Sequence, residues 1–429
     1  YLSFFPQLVA GPIVRASEFI SQLHKPYSLS RRWFGLAIFW IMNGLVKKLI
    51  LADFLAVNFC DRVFENPLLY SGFENLSALF CYSLQVYADF SGYTDIATGV
   101  ALLMGFYLPR NFNSPYKAEN TQQFWRRWHM TLSRWLRDYL YIPLGGNRNA
   151  TPGTYIIIAA VAVIGSFLSG SWWVAVAVLA VAAGIGLWAW KCPGDRKLIT
   201  TNINSMNTML LGGLWHGASW NFMIWGGLNG LGMVIYKVWT KRSMLQKLVI
   251  ITFFTAVVGL LRRLTPAPVW NLFYVWLLVI WMGTVVKAVI RRLCHSERSE
   301  ESWLSRAWDI FQTFVFITFT RLFFRSGSNL DPALANEQAW NTAKNMVNQI
   351  GGAWDLSLVP AMAWQHRTVL LLFVAGMIIH WLPERFKRRY RIIFARLPLF
   401  WMAVVVVLII ILIYQFITSD LQSFIYFQF

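Results

Sequence analysis

Long apolar runs alternate with short polar, mostly basic breaks along nearly the whole chain. A helix needs about 20 predominantly apolar residues to cross the roughly 30 Å hydrocarbon core of a bilayer. Runs of this kind fall at 34–58, 155–170, 172–190, 206–238, 247–261, 268–287, 308–324, 368–382 and 398–418, and the run 76–106 is too long for one simple span. The pattern predicts an all-α fold, a polytopic transmembrane helical bundle. Two runs depart from the usual composition, because 76–106 carries Asp89 and Asp95 around Ser91-Gly92 and 34–58 carries Lys47-Lys48 in its middle. Charge at membrane depth is tolerated only where protein or a water-filled cavity surrounds it, so broken and interfacial helices around a central cavity are expected. Asp89 and Asp95 are each expected to pair with a buried arginine in a structural role.

A different periodicity governs 124–140. At about 100° per residue, Trp125, Trp128, Leu132, Trp135, Leu136, Tyr139 and Leu140 fall on one side of a helix, and Arg126, Arg127, Thr131, Ser133, Arg134, Arg137 and Asp138 fall on the other. This predicts one helix lying in an interface, started by the capping pair Asn120 and Gln123. His129 lies roughly 40° from Trp125 and therefore inside the apolar sector. By itself such a histidine is either a catalytic group or, more commonly, a hydrogen-bonded structural one.

The block from Met209 to Tyr236 has no Asp, Glu, Lys or Arg and one ionisable imidazole, His216. Gly213 with Gly217, and Gly226 with Gly230, repeat at the spacing that lets a second helix or a ligand approach the backbone closely. An ionisable side chain at such depth is a functional hypothesis, and a neutral imidazole bridging two helices is the structural alternative.

Composition narrows the class. The apolar set makes up 57% of the chain and charged residues only 13%, against roughly 45–50% and about 25% in soluble domains. The net charge of +19 suits nucleic acid or an anionic membrane face, and the shortage of polar surface decides against nucleic acid. Basic clusters at 241–247, 287–292 and 385–396 then read as cytoplasmic flanks, with 326–366 a long, mildly charged connection on the other face. The segment 294–302 reads as a solvated loop. Cys60, Cys81, Cys192 and Cys294 form neither a CxxC pair nor a metal spacing, so no metal site or disulfide framework is expected. The chain opens at Tyr1 without a signal peptide, and upstream material is expected.

A buried, neutral imidazole is suited to take a proton from a hydroxyl nucleophile. Serine-elbow, HExxH, P-loop and dinucleotide signatures are absent from the sequence, which leaves direct attack of an acceptor on a bound thioester as the simplest chemistry.

The runs Tyr1 to Arg15, Gln85 to Ala97, Phe124 to Asn147, Leu211 to Asn221, Phe323-Phe324-Arg325 and Phe424 to Phe429 resemble the membrane-bound O-acyltransferase (MBOAT) family, and within it the bacterial branch that O-acetylates alginate and other exopolysaccharides. The resemblance implies that His216, in the Leu-Trp-His-Gly motif, is catalytic, and that His129, in the Arg-Arg-Trp-His motif, is the second essential histidine. It implies a single membrane domain over 1–429 that lacks the family's N-terminal helices, in the bacterial inner membrane. Residues 150–200 depart from the pattern as an inserted hydrophobic hairpin. The implied partners are membrane lipids, an acyl thioester donor such as acetyl-CoA with no tightly bound cofactor, the exported polysaccharide, and a periplasmic acetyltransferase. On this reading His216 is expected to act as general base or relay for the acceptor hydroxyl, and His129 to orient it or stabilise the developing oxyanion. Arg126, Arg127 and Arg134 are candidates for donor phosphates or for headgroup contacts. Trp125, Trp128 and Trp215 are candidates for lining the acyl path, with core packing as the alternative. A rival reading is a transporter or lipid flippase, with His216 as proton relay or helix bridge.

Overall fold

The computed structural model describes residues 3–217, 219–293, 303–325 and 332–417; the 294–302 loop and the terminal 424–429 run lie outside them. Among the described residues all regular structure is helical, as the apolar periodicity predicts. Among the described residues six stretches are long and apolar enough to cross a membrane: Arg31–Glu65, Pro152–Ser169, Trp173–Lys191, Met244–Leu264, Pro268–Val289 and Leu399–Phe416. Val359–Gln365 and Arg367–Trp381, bent by 81°, make a seventh if the pair is one span. This is the architecture of a multi-pass membrane protein. Among the described residues the chain forms two compact units, one holding those up to 117, 125–132 and 354–417, the other 118–124 and 133–353.

In the first unit the Gly72–Leu103 helix starts at a capping box, with Ser71 Oγ accepting the Glu74 N–H and Glu74 Oε2 accepting the Ser71 N–H at 2.9 Å. It then runs unbroken through Ser91-Gly92, where the sequence led us to expect an interruption. The reason is a helix crossing. A Cβ on Gly44 would sit 2.5 Å from the Gly92 carbonyl oxygen, and one on Gly92 would sit 2.9 Å from the Gly44 carbonyl oxygen. Glycine here brings the Arg31–Leu45 helix against the Gly72–Leu103 helix backbone to backbone, and neither helix breaks.

Past Leu45 the first of these helices loosens into π-helical turns over Val46–Asp53 and again over Ala56–Cys60. Lys47 and Lys48 lie in the first π stretch, where an extra residue per turn re-aims the side chains. Lys47 Nζ is 2.6 Å from Asp95 Oδ2, which also accepts from Asn43 Nδ2 at 2.6 Å. Lys48 Nζ lies 2.7 Å from both Asp53 Oδ1 and Asp89 Oδ1. The partners of Asp89 and Asp95 are thus lysines from the neighbouring helix, where arginines were expected.

In the second unit Pro152–Ser169 and Trp173–Lys191 form a hairpin that turns at Gly170, whose φ of 65° is a left-handed value glycine adopts without strain. The apolar run 206–238, expected as one span, is two helices, Arg196–His216 and Trp220–Thr240. They separate because Ser219 caps the second, its hydroxyl oxygen accepting the Asn221 N–H at 3.2 Å. The two pack closely enough that a Cβ on Gly213 would collide with the Phe222 carbonyl, and one on Gly226 with the Met209 carbonyl. The predicted span 308–324 is the helix Trp303–Thr320 followed by a tight turn over Arg321–Phe323. Within 326–366, expected as a long, mildly charged connection, lies the helix Pro332–Gly351. Its Ala339, Ala343, Met346 and Ile350 are buried at helical spacing, a face too weakly apolar to stand out in a hydropathy reading.

Candidate functional site

The stretch predicted as one interfacial helix over 124–140 is broken. Thr121–Trp125 and Met130–Leu136 are separate helices, followed by a π turn over Arg137–Tyr141, and His129 stands in the gap at φ 41°. A non-glycine residue in the left-handed region costs about 1–3 kcal/mol and persists only where its surroundings fix it. Here the loop before it does so. The Met130 N–H donates to the Asn111 carbonyl at 2.9 Å, the Asn113 N–H to the Arg127 carbonyl at 2.9 Å, and Arg127 Nη1 to the Asn113 carbonyl at 3.3 Å. These tertiary bonds replace the i→i−4 ladder that the periodicity presumed. Asn120 still caps the preceding helix as expected, its Oδ1 accepting the Gln123 N–H at 2.8 Å.

The Asn111 side chain sets the imidazole. Its Oδ1 accepts from the Thr131 N–H at 3.2 Å and from Thr131 Oγ1 at 2.9 Å, and lies 3.1 Å from His129 Nδ1. A backbone N–H can only donate, so the atom facing it is the amide oxygen, and His129 Nδ1 therefore carries a proton in this contact. In the neutral ring that leaves Nε2 as the acceptor. Thr131 is in turn fixed by the Ile13 N–H at 3.0 Å, and the imidazole stands edge-on to Phe90 with centroids 4.7 Å apart. His129 and Thr131 are both buried, although the helical wheel put Thr131 on the polar side.

Trp128 is buried among Tyr87, Phe90, Phe112 and Tyr116, with ring centroids 5.1–6.4 Å away. Trp125 and Arg127 are half-buried, Arg126 is exposed and Arg134 is half-buried. Trp135 and Tyr139, assigned to the apolar side by the wheel, are exposed and pack against each other at a tilt, with ring centroids 5.4 Å apart.

His216 belongs to the second unit, as the last residue of the Arg196–His216 helix. It is buried in an aromatic shell, edge-on to Trp225 at 5.1 Å, to Phe324 at 5.1 Å and to Trp215 at 5.0 Å, with Phe222 at 6.4 Å. Trp215 is itself 47% exposed, so the ring beside His216 reaches the surface of the unit. The backbone just past the imidazole is tied down by Asn336, whose Oδ1 accepts from Ser219 Oγ and whose carbonyl accepts from Asn221 Nδ2 at 3.2 Å. Arg321 is 1% exposed, lies over Phe324 at 4.8 Å from the ring centroid and acts electrostatically on His216.

Asn111, Asn336 and Arg321 are absent from the sequence-derived candidates. Each sits outside the histidine motifs, and only the fold brings it to them. Phe324 of the Phe323-Phe324-Arg325 run does reach the His216 shell.

Residues 1–182 match the sequence model of the membrane-bound O-acyltransferase family. The chain is 38% identical over 245 residues to a peptidoglycan O-acetyltransferase of Helicobacter pylori, covering 57% of this chain and 37% of that protein. It is 38% identical over 238 residues to a probable alginate O-acetylase AlgI of Azotobacter vinelandii, covering 55% and 38%. It is also 26% identical over 246 residues to a teichoic acid D-alanyltransferase of Bacillus subtilis, covering 56% and 51%. The chain thus spans between about a third and a half of the length of these relatives. Residues 1–182, the part similar to the membrane-bound O-acyltransferase family, carry the His129 motif and its Asn111 anchor.

Proposed function

We propose that this chain is the acyl-transferring part of an inner-membrane O-acetyltransferase that moves an acetyl group from a cytoplasmic thioester toward a hydroxyl of an exported polysaccharide, or toward a periplasmic protein that modifies it. The observation that carries the reading is His129, a buried imidazole held in a costly left-handed backbone with its Nδ1 proton committed to Asn111. Strain of this kind collects where geometry serves chemistry. The acyl group and the polymer class are taken from the similar peptidoglycan O-acetyltransferase and probable alginate O-acetylase.

In this reaction the acceptor hydroxyl oxygen attacks the thioester carbonyl carbon, its proton passes to His216, and the carbonyl electron pair moves onto oxygen. Collapse of that intermediate expels the thiolate, which takes the proton back from His216. With Nδ1 donating to Asn111, the Nε2 of a neutral His129 can accept a hydrogen bond from a hydroxyl but has no proton to give to an oxyanion.

The test is to express His216→Ala and His129→Ala at wild-type membrane levels and measure ester-linked acetate on the exported polymer. The expected loss is about 10²–10⁴-fold for His216→Ala, the range of a general base. Unchanged acetate in both variants overturns the reading, and lost export with either one favours a transporter.

A further inference from the structure

A cluster of charge lies in the first unit, on the loop that also carries Asn111. The loop 106–117 is pinned to the end of the Arg367–Trp381 helix, since the Tyr116 N–H donates to His380 Nε2 at 3.1 Å and Trp381 Nε1 donates to the Tyr116 carbonyl at 3.1 Å. Lysines from both sides of this junction converge on it. Lys117 Nζ donates to the Leu382 carbonyl at 2.7 Å, and Lys387 Nζ donates to Ser114 Oγ at 2.8 Å and to the His380 carbonyl at 2.6 Å. Arg110 donates to the Phe112 carbonyl at 2.7 Å and reaches both carboxylate oxygens of Glu384 at 3.3 Å. Lys47, already paired with Asp95, lies 5.7 Å from the Tyr87 ring centroid, and that ring packs edge-on to His380 at 4.6 Å.

We propose that Lys117 and Lys387, with Arg110 beside them, bind a phosphoryl group, presented either by a soluble phosphate ester or by an anionic lipid headgroup. Two ammonium groups and a guanidinium anchored on one loop supply the positive charge and the N–H donors that a phosphate dianion takes. Holding like charges together in a partly buried place is costly, and an entering anion offsets that cost. Burial, then Lys117, with Lys47 and Arg110 adding to it against the opposing pull of Glu384, lowers the Lys387 ammonium to about 8. Ser114, at φ 45°, keeps its hydroxyl on Lys387 and completes a preformed polar rim. The site shares its loop with Asn111, which holds His129, but the proposal does not rest on the acyl-transfer reading, since its test follows Lys387 and not acetate.

The experiment follows amine acylation of Lys387 by peptide mapping, across a pH series from neutral to about 10.4, the ordinary lysine value. It uses the full chain in neutral detergent with and without inorganic pyrophosphate, and in nanodiscs of phosphatidylcholine alone or mixed with phosphatidylglycerol. A bound phosphoryl group is expected to raise the reaction midpoint by about one unit, a tenfold preference of the anion for the charged amine. A shift with pyrophosphate identifies a soluble phosphate, and one seen only with phosphatidylglycerol identifies the headgroup. An unchanged midpoint under both conditions overturns the proposal. Lys117→Gln should abolish the shift and Lys117→Arg should keep it. A shift that survives Lys117→Gln but disappears in Arg388→Gln with Arg389→Gln also overturns it, because the anion would then sit on the outer face of the Glu384–Arg396 helix.

Discussion

Asn111 Oδ1 and His129 Nδ1 lie 3.1 Å apart, and the same oxygen holds the backbone and the hydroxyl of Thr131. One amide therefore fixes the tautomer of the imidazole and the left-handed turn that presents it. Removing it in Asn111→Ala leaves the Thr131 N–H and hydroxyl and the His129 ring without their acceptor. Groups that orient a functional imidazole typically cost 10–100-fold when lost, as seen for histidines in metal sites, and a loss of about that size is expected in acetate transferred per unit of membrane protein. Full activity would show that the contact holds the loop and nothing more.

Lys48 sits between Asp53 and Asp89, with side chains no more than 9% exposed. Lys48→Met would leave two carboxylates in a buried place without their cation, and breaking a buried pair in this way costs about 3–5 kcal/mol. Thermal unfolding in detergent is expected to fall sharply for Lys48→Met. Adding Asp53→Asn and Asp89→Asn should restore much of the loss, and failure of that rescue would show that packing, not charge, is what Lys48 supplies.

The glycines divide into two groups with opposite expected responses. Gly44→Ala places a methyl 2.5 Å from the Gly92 carbonyl oxygen and must push two helices apart, a cost of about 1–3 kcal/mol for overpacking. Gly184 and Gly186, in the Trp173–Lys191 helix, meet nothing within 4 Å, so alanine at either should stabilise by up to about 1 kcal/mol through helix propensity. Parallel thermal melts of the three variants check both signs.

Lys387, lowered to about 8, makes the stability of the first unit depend on pH. Between about 8 and the ordinary lysine value of about 10.4, the unfolded chain binds more protons than the folded one, so stability rises as pH increases through that window. Below it both states are charged and the folded state bears the full cost of the buried ammonium. Lys387→Met should flatten the rise in denaturation midpoint between pH 8 and 10, and a slope identical to wild type would assign it to another group.

Much of the chain's character was legible in one dimension. Apolar runs of bilayer length, the presence of lysines and aspartates inside them, and the two histidine motifs follow from residue type and spacing, because burial in lipid demands continuous apolar surface whatever the tertiary arrangement. Asn120 was readable as a cap for the same reason, since a cap acts within one turn of chain.

What the sequence by itself determined, then, is that much of the chain forms apolar helices, several of membrane length, and that His129 and His216 stand out as ionisable side chains among apolar residues. The tertiary structure decided how each is held. It broke the 124–140 helix at His129 because bonds from Asn111 and Asn113 outcompete the local ladder, and it kept the Gly72–Leu103 helix whole because Gly92 meets Gly44 on another helix. It also brought Asn336 and Arg321 to the His216 region from positions more than a hundred residues away. Periodicity reports only which face a residue would present if its helix continued. Whether the helix continues, and what lies against that face, depends on contacts between segments distant in the chain.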